Sequence, residues 1–126
     1  MSSEIEATTI VTYQGDTCEI TFTGLNDLIG ETIGFESRDR KTNEPIFDEL
    51  KQVVNNEGEV TFIITPKMSN EYKIKSGEIY NIYSYGIKQI NLETGEENTI
   101  LLGDNPKFGE QYLIKVYLKK VEGIKE

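Results

Sequence analysis

Histidine and tryptophan are absent from the 126 residues, and cysteine occurs once, at Cys18. Without histidine the chain lacks the commonest general base near neutral pH and the commonest metal ligand. A single thiol allows neither an intrachain disulfide nor a thiolate metal cluster. No apolar run approaches the roughly 20 residues of a membrane span. The start, Met-Ser-Ser-Glu-Ile-Glu, lacks the basic and apolar regions of a signal peptide. The expectation is a protein made in the cytoplasm that engages no membrane. Positive charge is also scarce: 13 Lys and Arg stand against 22 Asp and Glu, a formal net charge of −9. That balance repels nucleic acid and anionic lipid. The deficit is confined to residues 1–65, which hold 13 acids and 4 bases; residues 66–126 hold 9 of each.

What is present is a two-residue beat. Thr17–Thr23 alternates, with Cys18, Ile20 and Phe22 on one face and Glu19 and Thr21 on the other. Residues Glu31–Arg38 repeat the pattern with Ile33 and Phe35, and Glu59–Thr65 with Val60, Phe62 and Ile64. Ile79–Ile90 is long, β-branched and rich in tyrosine, and Thr99–Leu102 follows it. Gln111–Leu118 sets Tyr112, Ile114, Val116 and Leu118 against Leu113, Lys115 and Tyr117. Residues 8–13 and 46–54 are weaker strands. Turn residues punctuate these runs at Gly24–Asp27, Thr42–Pro45, Asn55–Gly58, Glu93–Glu96 and Gly103–Pro106. Pro66–Ile74 is the one helical turn, with Met68 and Tyr72 placed to cover a sandwich end. No repeat or linker interrupts the chain. The reading is a single all-β domain over residues 1–126, an antiparallel β-sandwich of seven or eight strands, with frayed ends at 1–7 and 121–126.

Candidate chemistry is thin. Glu36 with Asp39, or Asp48 with Glu49, supplies the carboxylate pair of a glycosidase only in the sense that any acidic β domain does. Neighbours such as Asp48 and Glu49 point to opposite faces of a strand. Asn91–Asn98 holds three glutamates near a turn without the spacing of a calcium loop, and Gly30–Gly34 lacks the ending of a phosphate loop. The expectation is no enzyme, no metal, no cofactor and no small-molecule substrate. Tyrosines carry more information. Tyr83 and Tyr85 share one strand face and Tyr80 takes the other. They form either a binding platform or a core face whose hydroxyls reach backbone partners, as in a tyrosine corner. Phe108, alone in the polar turn Asp104–Gly109, either plugs the sandwich end or meets a partner.

The order of elements resembles a known family. It runs from Gly15-Asp16-Thr17 through Leu28-Ile29-Gly30 and Ile33–Arg38 to Gly58–Thr65. Ser76–Tyr80, the Tyr83–Ile87 strand and Thr99–Gly103 continue it. This succession, over roughly residues 14–119, resembles the Ig-like domain of small tailed-phage structural proteins, notably the N-terminal domain of baseplate upper proteins. The resemblance implies an Ig-like sandwich with no catalytic residues. It implies a virion component of a phage or prophage tail or baseplate, made in the host cytoplasm, whose partners are other phage structural proteins or copies of itself. The C-terminal strand reads as a sheet edge, and the interface expected there comprises Phe108, Tyr112, Lys115, Tyr117 and Lys119. The alternative is a carbohydrate-binding or adhesion module of a Gram-positive surface, which requires exposed coplanar tyrosines and calcium. A host-cytoplasm inhibitor or adaptor also remains open at this point.

Overall fold

A computed structural model describes residues 9–101, 104–105 and 110–118. The strands are β1 (Ile10–Tyr13), β2 (Cys18–Phe22), β3 (Thr32–Arg38), β4 (Leu50–Val53) and β5 (Val60–Ile64) in the first half. The second half holds β6 (Tyr80–Ile90), β7 (Glu97–Leu101), β8 (Asp104–Asn105), β9 (Glu110–Gln111) and β10 (Leu113–Tyr117). A 3-10 turn at Asn26–Leu28 and a one-turn helix α1 at Pro66–Ser69 complete the order. The larger sheet runs β1-β10-β6-β3-β4, with β7 paired to the far half of β6; β2 and β5 form the second sheet. Eight strands thus build two layers, and β8 and β9, two residues each, pair separately and antiparallel. With β2 and β5 in one layer and β3, β6 and β10 in the other, the architecture is an immunoglobulin-like sandwich. All pairs are antiparallel except β1 with β10, which run parallel.

The alternation read from the sequence decides what each layer buries. Cys18, Ile20 and Phe22 of β2 and Val60, Phe62 and Ile64 of β5 face Ile33 and Phe35 of β3, Tyr83, Tyr85 and Ile87 of β6, and Ile114 and Val116 of β10. Aromatic rings form the centre. Phe35 lies 5.4 Å from Phe62 and 5.8 Å from Tyr85, and Phe22 lies about 6 Å from all three rings. Each such side chain contributes roughly 1.5–3 kcal/mol on leaving water. Burial raises the Cys18 thiol above its ordinary pKa, so the one cysteine is a core residue.

The two ends of the sandwich are closed by hydrogen bonds. Thr65 caps α1, its hydroxyl accepting from the Met68 N–H at 3.3 Å, and Pro66 occupies the first helical position. The buried hydroxyl of Ser69 accepts from the Gly15 N–H at 2.8 Å and donates to the Asp16 carbonyl at 2.9 Å, tying the β1–β2 turn to the helix. Beyond α1 the Tyr72 hydroxyl donates to Ser37 Oγ at 2.7 Å, and Ser37 donates to the Ser84 carbonyl at 3.0 Å. The Tyr83 hydroxyl accepts from the Lys73 N–H at 2.7 Å and donates to the Lys73 carbonyl, ten residues upstream. This is a tyrosine corner at the β5–β6 junction. At the opposite end Gly58 takes φ +74°, and a Cβ there would meet Asn26 Oδ1 at 2.5 Å.

Candidate protein-binding surface

The even-numbered residues of β6 and the odd-numbered residues of β10 and β1 point away from the core, onto the outer face of the larger sheet. That face has two zones. Over β3, β4, β6 and β7 it is charged. The Lys88 ammonium lies 2.9 Å from Glu97 Oε1, 3.2 Å from Glu49 Oε2 and 3.5 Å from Glu36 Oε2. Glu49 Oε2 is buried without a hydrogen bond of good geometry, and the Lys88 charge compensates it. Partial burial pulls the Lys88 pKa down, but the hydrogen bond to Glu97 and the charges of Glu49 and Glu36 outweigh it and leave the pKa raised. Gly34 makes room for this cluster, since a Cβ there would lie 2.5 Å from Glu49 Oε2. A groove of about 380 Å³ crosses Gly34 and Gly86, but its ionic walls are turned on each other. Arg38 donates to Glu36 at 3.0 Å and to the Asn43 carbonyl at 2.6 Å. Three carboxylates held around an ammonium do not make an acid–base pair. Among the described residues no group of three or more Asp, Glu or Cys is placed to hold a metal ion.

The second zone lies over β1, β10 and the start of β6, and it is aromatic. Register sets Tyr13 opposite Tyr117 and Tyr117 opposite Tyr80. The Tyr117 ring centroid is 5.5 Å from Tyr13 and 5.6 Å from Tyr80, with tilts of 31° and 59°. The Lys115 ammonium sits 4.3 Å from the Tyr80 centroid and 5.3 Å from that of Tyr117. Val11 is opposite Lys115, so an exposed aliphatic group borders the rings. Tyr13 is 44% exposed, Tyr80 38% and Val11 56%. Val11, Tyr13 and Tyr80, three of the nine large apolar residues exposed on the described surface, therefore share this one face. Scattered exposed apolar residues carry no message, but a contiguous group of this kind marks a contact surface.

Of the residues expected at an interface, Lys115 and Tyr117 belong to this patch. Phe108 and Lys119 lie outside the described residues. Tyr112 does not belong: it is buried, its ring 6.0 Å from Tyr85 and edge-on to it. The parity of β10 explains the correction, because Tyr112 shares a face with Ile114 and Val116. A second correction concerns the strand itself. β10 is not an edge, since β1 covers one side and β6 the other; the sheet ends at β1 and β4. What β10 offers is its face. Tyr13 joins the patch without any local signal in the sequence, because its neighbour Tyr117 is 104 positions away and only the β1–β10 pairing brings them together.

No helix among the described residues is long and apolar enough to cross a membrane. The class of protein is thus an immunoglobulin-like β-sandwich with a tyrosine–lysine patch on one sheet face. No family model and no curated protein matches the chain.

Proposed function

We propose that this chain is a non-enzymatic structural subunit of a tailed-phage or prophage particle, in the tail or baseplate, and that it works through protein–protein contacts made by the Tyr13–Tyr80–Tyr117–Lys115 patch. The carrying observation is that patch: aromatic rings with polar tips, a cation above them and an aliphatic neighbour, all on a rigid sheet. Tyrosine combines large contact area with few rotatable bonds and favours half-wet protein interfaces. The particle assignment draws on the order of motifs along the sequence. The sugar-binding alternative receives less support. Tyr83 and Tyr85 are buried in the core, and the exposed rings are tilted instead of coplanar. The test is mass spectrometry of purified phage particles induced from the source strain, with immunogold labelling against this chain. Its presence at constant stoichiometry, with label on the tail, is the expected result. Particles that lack it, or a coding sequence with no tail or portal genes beside it, would overturn the reading.

A further inference from the structure

We infer that the partner of the tyrosine–lysine patch is a second copy of this chain, which presents the outer face of its β2–β5 sheet. This deepens the proposal above and rests on its reading of the patch as a protein-binding surface. Lys115 is the sole formal charge among Val11, Tyr13, Tyr80 and Tyr117, and it is positive. The hollow that adjoins Tyr80, about 630 Å³, adds Arg40, Lys41 and Lys75 against Asp39 and Glu78. The chain as a whole is strongly acidic, and its first 65 residues carry the entire deficit. A basic, aromatic surface on such a molecule is complementary to the rest of the same molecule.

The β2–β5 sheet supplies the matching surface. Its outward residues are Glu19 and Thr21 on β2 and Thr61 and Ile63 on β5. Glu19 pairs directly with Ile63, which is 49% exposed, while Thr21 and Thr61 join hydroxyls at 2.8 Å to give a low, level strip. A carboxylate beside an exposed aliphatic group on one face thus corresponds to an ammonium beside exposed rings on the other. The two faces lie on opposite sides of the sandwich, so a copy cannot satisfy its own patch. Contact is heterologous, and each subunit added exposes a fresh patch or closes a ring.

Lys115→Glu and Glu19→Lys test this, since both residues are at the surface and circular dichroism verifies that the fold survives. The wild-type chain should self-associate by analytical ultracentrifugation at low ionic strength and dissociate as salt rises. Each variant alone should associate roughly tenfold or more weakly than wild type, as like charges then meet. An equimolar mixture of the two should recover association, because each patch again faces an opposite charge. A wild-type chain that stays monomeric at the highest soluble concentration and low salt would overturn the inference. So would a mixture no better than its components, or a Glu19→Lys chain that associates like wild type. None of these results touches the presence of the chain in particles, so a failed self-contact would leave the patch assigned to a different structural protein.

Discussion

Ser69 shows how much one hydroxyl can organise. It serves the β1–β2 turn and the helix at once, and its removal leaves the half-buried Gly15 N–H without its acceptor. Ser69→Ala should lower stability by about 1–3 kcal/mol, read as a reduced midpoint in urea with an unchanged slope. The buried phenols have a different consequence. Burial raises the pKa of Tyr72 and Tyr83 and pushes Tyr85 up to about 12. A folded pKa above the unfolded value means that the stabilisation is complete below pH ~10 and is lost as the pH rises towards the folded value. Each phenol then withdraws about 1.4 kcal/mol per pH unit. With no histidine to titrate between pH 5 and 8, the urea midpoint should hold steady from pH 6 to 9 and fall steeply above 10, with late tyrosine ionisation at 295 nm tracking unfolding. Parity showed which of these residues share a strand face, and the structure decides which face is core. Tyr83, Tyr85 and Tyr112 follow the inward beat of their strands, while Tyr80 and Tyr117 follow the outward one. Only the grouping of Tyr112 with the interface went against that beat.

Strands whose two faces differ in polarity announced themselves. β2, β3, β5, β6 and β10 each begin and end within about two residues of the alternating runs, because burial on one side and water on the other impose the period. β4 was faint for a physical reason: it is a four-residue edge strand, mostly exposed, with Lys51 and Val53 both in solvent. Pro66 located the start of α1, though the helix closes at Ser69 and the chain continues to Tyr72 as a turn, short of the Ile74 expected. Turn glycines differ in what they tolerate. Gly58 has both a positive φ and a neighbour in the way of a Cβ, whereas Gly77 has a φ of +90° and open space around it. Gly58→Ala should therefore lose more than Gly77→Ala; each bears the left-handed penalty of about 1–2 kcal/mol, and Gly58 adds the displacement of Asn26. Thermal melts of the two variants side by side measure the difference.

At the scale of the whole molecule, sequence periodicity specified two layers but not which strand neighbours which. Pairings between β1 and β10 span the length of the chain and depend on the packing of everything between them, so neither the covered position of β10 nor the meeting of Tyr13 with Tyr117 could be read locally. The direction of that pairing has its own consequence. Because the first and last strands of the sandwich point the same way, Ile10 sits beside Ile114 and Tyr13 beside Tyr117. Tension applied at residues 9 and 118 drags the two ribbons lengthwise past each other and strains their ladder bonds together, where a hairpin pulled open at its mouth surrenders them singly. In optical-tweezer stretching, rupture through those two handles should demand a higher force than rupture through handles at Ile87 and Leu101, which pair at the mouth of the β6–β7 hairpin. A domain so strung can serve as a tether that holds under a sudden tug.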